Sequence, residues 1–281
     1  MIRLAVRVVR ERSELVLAEL LELAPSGVEE VDVGADVVEY AVYGAPGELP
    51  SLPAVHAAAG GALIEVRGEE IADDWSERWR EFHKPLLLDD QLCVRPPWAE
   101  AGTARLDVVI DPGQAFGTGA HATTRMCLEL LLAHGTASGS FVDLGCGSGV
   151  LAITAAKLGF SPVTALDYDP AAVVATQANA QRNAVHVQVA GFDMRAEQVP
   201  DCEFVAANVL GGPLRAWAAS QRRMPPSLIL SGLLREEADA VADVFASRGL
   251  REHERRVSAE WAALALTRRD TAQGTFAAWR T

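Results

Sequence analysis

The spacing of apolar and polar positions changes several times along the chain, and each change marks an element. Residues 4–9 alternate as a strand does, residues 14–23 repeat at helical spacing, and residues 27–33 and 37–43 alternate again. A short helix over 52–59 and a strand over 63–66 complete a β-α-β-β-α-β series within residues 1–68, the order of a ferredoxin-like α+β domain. From about residue 104 the pattern becomes short apolar runs separated by helical stretches, which predicts an α/β domain with a parallel sheet covered on both faces. The runs lie at 140–144, 163–167, 186–190, 203–207 and 228–231, and helices start near Thr123, Gly149, Pro170, Gly212 and Glu236. Residues 252–257 and 261–267 read as a hairpin. Asp169 followed by Pro170 is a helix start with the right chemistry, because Asp caps orphan amides and Pro suits the first turn.

Between these patterns, residues 69–103 read as a linker carrying a helix with an aromatic stripe. Trp75, Trp79 and Phe82 recur at i, i+4, i+7, Pro85 stops the helix, and Pro96, Pro97 and Gly102 mark the next boundary, so that the second domain occupies 104–281. The stripe is expected to bury the helix against its neighbours.

Composition narrows the function classes. A chain of 281 residues, 49% hydrophobic and 22% charged, is an ordinary globular balance with room for two domains, which excludes wholesale disorder. No run approaches the about 18 apolar residues of a membrane span, and the opening MIRLAVRVVRERSEL lacks the apolar core of a signal peptide, so a cytoplasmic location without membrane contact is expected. Cys93, Cys127, Cys146 and Cys202 are far apart and form no CxxC pair or Cys/His cluster; reduced, buried thiols and no metal site are expected. The net charge of −13 disfavours direct nucleic-acid binding and suits a basic protein partner.

The chemistry concentrates in three segments. In FVDLGCGSGVLAITAAKLGFSPVTALDYDP a buried strand leads into Gly145, Gly147 and Gly149, then a helix, then a second strand ending at Asp167. Glycines there let the backbone turn sharply and approach a ligand, and an acid at the end of the next strand suits ribose hydroxyls. The spacing is G-x-G-x-G rather than the G-x-G-x-x-G of nicotinamide dinucleotide sites, and Asp143 stands two residues before Gly145, where it suits a cationic amino group better than a pyrophosphate. In DPGQAFGTGAHATTRMCLELL a glycine-rich loop ends at His121, with Thr123 and Thr124 opening a helix. In EFVAANVLGGPL a strand ends at Asn208, on the rim where open parallel sheets bind ligands and where an amide oxygen meets a substrate amine.

The D-x-G-x-G-x-G turn resembles the S-adenosylmethionine site of class I methyltransferases. With the W-x3-W-x2-F-x2-P linker and DPGQAFGTGAHATT, residues 75–268 resemble the ribosomal protein L11 methyltransferase family. The resemblance implies a Rossmann-like class I methyltransferase domain that binds S-adenosylmethionine and methylates lysine side chains and the N-terminal amine of ribosomal protein L11, with the N-terminal domain gripping that basic substrate. Carried over by motif, the cofactor contacts are Thr124, Gly145, Gly147, Gly149, Asp143, Asp167 and Asn208, with Phe192 and Asp193 at the adenine position. Asn208 and His121 become the catalytic candidates, Asn208 to orient the amine and His121 as a base, a wall of the closed loop or simply a loop histidine. Ala122 departs from the family pattern, and the N-terminal domain matches in strand order rather than in residues. A nicotinamide-dependent oxidoreductase has the wrong glycine spacing, and a non-enzymatic ribosome-assembly module would not need an intact glycine turn, Asp167 and Asn208. An adenine or glutamine methyltransferase would show Asn-Pro-Pro-aromatic where Asn208 is followed here by Val209 and Leu210.

Overall fold

The computed structural model describes residues 2–24, 28–34, 36–44, 49–70, 84–112, 121–134 and 139–268. The chain divides into two compact units, Met1–Phe82 and His83–Thr281. The predicted helix bearing Trp75, Trp79 and Phe82, and the glycine loop over 113–120, lie outside the described residues.

The first unit runs β1 (Ile2–Val9), α1 (Ser13–Leu23), β2 (Glu29–Gly34), β3 (Val37–Gly44), α2 (Leu52–Ala59) and β4 (Leu63–Glu70), the predicted order. Its antiparallel sheet is ordered β2-β3-β1-β4. Strand alternation explains the layers: Leu4, Val6 and Val8 of β1 and Val38, Tyr40 and Val42 of β3 share a core with Val16 and Leu20 of α1 and Val55 of α2. At the odd positions of these strands, Glu39 lies between Arg3 and Arg7, with Arg7 Nε at 2.6 Å. Burial pushes the Glu39 carboxyl up, but hydrogen bonds from the two arginines outweigh it and hold the group below its ordinary value.

The second unit opens with a small sheet, β5 (Leu86–Leu88), β6 (Leu92–Arg95) and β7 (Leu106–Val109), antiparallel between β5 and β6 and parallel between β6 and β7. Residues 84–103 were expected to be linker, and they instead carry two of these strands. Apolar runs of three or four residues are too short for periodicity to identify, and the parallel pairing joins strands separated by a proline- and glycine-containing loop. Arg95 fixes the pair by forking onto Asp107, Nε to Oδ1 and Nη2 to Oδ2, both at 2.7 Å.

There follow α3 (Ala122–His134), β8 (Phe141–Leu144), α4 (Val150–Leu158), β9 (Val163–Asp167), α5 (Pro170–Arg182), β10 (Gln188–Gly191), β11 (Phe204–Asn208), α6 (Gly211–Ser220), β12 (Ser227–Leu234), α7 (Ala238–Ser247), β13 (Leu250–Ser258) and β14 (Trp261–Arg268). The sheet is ordered β10-β9-β8-β11-β12-β14-β13, parallel from β10 to β12 and antiparallel at β14. Phe141 of β8, Ala165 of β9 and Phe204 of β11 face a core shared with α3 and α4, whereas Val142, Leu166 and Val205, one residue on or back, face α6 and α7. Asp169 caps α5 as expected, its Oδ1 accepting from Ala171 N–H at 2.8 Å.

The chain runs outward from β8 through β9 to β10, then crosses back to lay β11 on the other side of β8. That reversal falls between β8 and β11, and open α/β sheets take ligands outside the carboxyl ends of the strands at such a point. No helix among the described residues is long and apolar enough to cross a membrane. The four cysteines are free; Cys93, Cys127 and Cys146 are buried, but Cys202 is only half-buried, because it lies in the loop before β11 rather than in the core.

Candidate active site

The turn between β8 and α4 is built from glycines with left-handed backbone, φ being +76° at Gly145, +53° at Gly147 and +81° at Gly149. The sequence reading had the glycines making room for a ligand, and at two of them the protein itself takes the space. A Cβ on Gly145 would lie 2.4 Å from Val209 Cγ1, and one on Gly149 would lie 2.8 Å from Thr176 Cγ2. The first contact ties the turn to the segment directly after β11, so the motif's spacing serves packing at the sheet's edge as well as the turn itself.

Asp167 at the end of β9 holds the same turn from the other side. Its Oδ2 accepts from Gly147 N–H at 2.8 Å and its Oδ1 from Asp169 N–H at 3.0 Å. Each oxygen retains a second lone pair, and the residue is only half-buried. Tyr168, its neighbour, is 72% exposed. Sequence reasoning passed over this tyrosine, and the available signal was an aromatic directly after the acid in a chain with only 6% aromatic residues.

Asp143 is wholly buried on β8. Its Oδ2 accepts from Ala152 N–H in the first turn of α4 at 2.9 Å, and Oδ1 has no hydrogen-bond partner among the described residues. Burial pushes the carboxyl up to about 7, against the Ala152 hydrogen bond and with help from the charge of Asp167. An acid thus occupies one of the orphan amides that a pyrophosphate would need, while an unpartnered buried oxygen suits a cationic ligand.

Asn208, at the end of β11, donates from Nδ2 to Thr124 Oγ1 of α3 at 3.1 Å, which joins two of the expected site residues. Thr124 is buried, and with Nδ2 engaged the amide keeps Oδ1 as its acceptor. Val209 then turns away, its N–H bonded to Ser231 O of β12 at 3.0 Å. His121 stands at the start of α3, where Nδ1 lies 3.3 Å from Thr123 N and 2.7 Å from Thr123 Oγ1, and its ring meets Trp261 edge-on at 5.3 Å. Nδ1 therefore acts as the helix cap. Phe192 N–H donates to Asp167 O at 2.8 Å, which sets residues 192 and 193 beside the β9 end. Asp193 Oδ1 accepts from Arg195 N–H at 2.9 Å, and this bond, more than the Arg195 charge, holds the carboxyl below its ordinary value.

Comparison with known proteins accords with this geometry. Residues 52–269 match the family model of ribosomal protein L11 methyltransferase (PrmA). The chain is 35% identical to a ribosomal protein L11 methyltransferase from Burkholderia lata, over 95% of this chain and 98% of that one. It is 40% identical over 184 residues to one from Shewanella sediminis, a match that spans 63% of this chain and 62% of the relative. The crystal structure of a ribosomal protein L11 methylase from Lactobacillus delbrueckii subsp. bulgaricus superposes with a TM-score of 0.59 at 21% identity, over 66% of this chain and 98% of that one, a likeness of fold.

Proposed function

The chain belongs to the ribosomal protein L11 methyltransferase family, and from that premise we propose that it transfers methyl groups from S-adenosylmethionine to lysine side-chain and N-terminal amines of ribosomal protein L11. The observation that carries the reading is the Asn208–Thr124 hydrogen bond at the sheet's carboxyl edge, next to a glycine turn gripped by Asp167. The residues fit the cofactor on two counts. Asp143 offers a cation a buried oxygen that is unpartnered among the described residues, and both Asp167 oxygens keep a lone pair for hydroxyls.

S-adenosylmethionine, when bound, supplies a methyl group on a sulfonium that is already a leaving group. The chain's own part is alignment and control of the amine. An amine of ordinary pKa about 10.4 must arrive neutral, and the partly buried rim around Asn208 disfavours its charged form. Asn208 Oδ1 then accepts one amine N–H and turns the nitrogen lone pair toward the methyl group. His121 is the other candidate, as a base or as a wall of the loop's end, its Nδ1 lying within reach of Thr123 N–H and Oγ1 at the start of α3.

Thr124, Gly145, Gly147, Gly149, Asp143, Asp167, Asp193 and Asn208 are the proposed cofactor residues, and Asn208 and His121 the proposed catalytic ones. The N-terminal unit is the proposed grip on the basic substrate, and the cytoplasm the proposed location; the net charge of −13 supports capture of a basic protein over nucleic acid. Intact-mass comparison of ribosomal protein L11 from cells with and without this chain tests the reading, which requires the methyl increments to vanish with it. Unchanged masses would overturn the substrate assignment.

A further inference from the structure

One face of α5, continued by its C-cap residue Asn183, carries three buried polar side chains that no step above uses. Thr176, Asn179 and Asn183 follow at i, i+3 and i+7, and they are 0%, 1% and 8% exposed. Polar groups this deep persist when they are hydrogen-bonded, and each of these reaches backbone atoms of a segment distant in sequence, besides the Cys146 thiol beside Thr176 and Asn179 O beneath Asn183. Thr176 Oγ1 donates to Gly147 O at 2.9 Å. Asn179 Nδ2 donates to Ser148 O at 3.0 Å, and its Oδ1 accepts from Asp111 N–H at 3.0 Å. Asn183 makes a two-way pair with Val109, Oδ1 accepting from Val109 N–H at 2.8 Å and Nδ2 donating to Val109 O at 2.6 Å, as a neighbouring strand would. Arg182 adds an ion pair to Asp111 at 3.1 Å.

These bonds converge on two places. One is the glycine turn at Gly147 and Ser148. The other is the stretch Val109 to Asp111, which leads within two residues into the glycine-rich loop 113–120. Asn179 alone touches both through a single amide.

We propose that Thr176, Asn179 and Asn183 are positioning residues for cofactor binding: a polar ladder on α5 and its C-cap that locks the glycine turn and the entry to the glycine-rich loop at a fixed separation. The turn lies outside the sheet ladder, and the loop entry is paired on one side only, Arg95 of β6 standing opposite Val109. Gly147 and Ser148 lie past the end of β8, and Val109 is the last residue of β7, an edge strand of its small sheet. An amide side chain is suited to this task because it offers a donor and an acceptor in one plane. The inference rests on the S-adenosylmethionine reading, and it adds that affinity for the cofactor depends on groups that never touch it.

The test compares Thr176→Val, Thr176→Ser and Asn179→Asp in the full chain. Val keeps the volume but removes the hydroxyl, Ser restores the hydroxyl, and Asp keeps the acceptor for Asp111 N–H while setting an oxygen against Ser148 O. Calorimetric titration with S-adenosylmethionine should show Kd raised about tenfold in Thr176→Val and Asn179→Asp and near wild type in Thr176→Ser, the loss of one to two net hydrogen bonds. Steady-state kinetics should show the rise in the KM for S-adenosylmethionine, with the KM for ribosomal protein L11 and kcat at saturating cofactor within about twofold of wild type. Equal Kd values for Thr176→Val and Thr176→Ser would overturn the ladder even if Asn179→Asp failed to fold. So would lowered stability with unchanged cofactor affinity, the mark of a purely structural role. Wild-type protein that bound no S-adenosylmethionine would instead overturn the parent reading.

Discussion

Asp143→Asn should stabilise the cofactor-free protein, and increasingly so as pH rises. The wild-type carboxyl is pushed from an ordinary value of 3.8 to about 7, first by burial and then by the charge of Asp167, while Ala152 N–H pulls the other way. A displacement of that size corresponds to about 4 kcal/mol, an upper figure for a buried acid. The sign follows from the raised value. A carboxyl whose folded-state pKa lies above its unfolded one costs nothing below about pH 4, and stability is lost as pH rises through about 7, because ionisation is easier in the unfolded chain. Asparagine keeps an oxygen for Ala152 N–H and cannot ionise. The stability gap between variant and wild type should therefore widen by about 2–3 kcal/mol between pH 5 and 8, the rest of the loss falling below pH 5. Urea denaturation followed by tryptophan fluorescence at a series of pH values measures it, and the difference between two otherwise identical chains cancels every other titrating group. Parallel stability profiles would refute the reasoning, because they would mean that Asp143 is already ionised at low pH or relieved by water at Oδ1.

Asp167→Ala should weaken S-adenosylmethionine binding by about 1.5–3 kcal/mol in calorimetry, as lost hydrogen bonds to a charged group do, and amide exchange at Gly147 should quicken because its partner is gone. Asn208→Ala should lower kcat more than cofactor affinity, and Thr124→Val should be non-additive with it in a double-mutant cycle, since the two side chains share one bond; strict additivity would separate their roles. Gly145→Ala should cost about 1–3 kcal/mol of stability, because its Cβ meets Val209 Cγ1 at 2.4 Å on a backbone at φ +76°, and Val209→Ala added to it should recover part of the loss in denaturant titrations. Cofactor affinity should be unchanged after dialysis against a chelator, since the proposed contacts are hydrogen bonds; a fall in affinity would point to a bound metal.

Much of this fold was legible because its signals are local. The alternation of Leu4, Val6 and Val8, the cap at Asp169 and the apolar runs of the parallel strands each declare themselves within a few residues. The small sheet of β5, β6 and β7 was not legible, because its short strands acquire their identity only by pairing across a loop and through the Arg95–Asp107 fork. The same divide runs through the site. Gly145, Asp167 and Asn208 stood out as residue types at the ends of predicted strands, and those strands, β8, β9 and β11, are neighbours in one parallel sheet. Their supports did not stand out: Val209 fills the space above Gly145, and Asn179 reaches Asp111 across 68 positions of sequence. No periodicity announces a side chain whose partner is a distant backbone atom. His121 shows the reverse case, a residue conspicuous in sequence whose ring nitrogen turns out to cap a helix.

The most direct test of the account is reconstitution from purified parts: this chain, S-adenosylmethionine and unmodified ribosomal protein L11, followed by peptide mapping in the mass spectrometer. The account predicts methyl groups on lysine side chains and on the N-terminal amine of ribosomal protein L11, formed in successive turnovers and strongly reduced with Asn208→Ala. A chain that binds S-adenosylmethionine tightly yet leaves every amine of ribosomal protein L11 unmodified would contradict it.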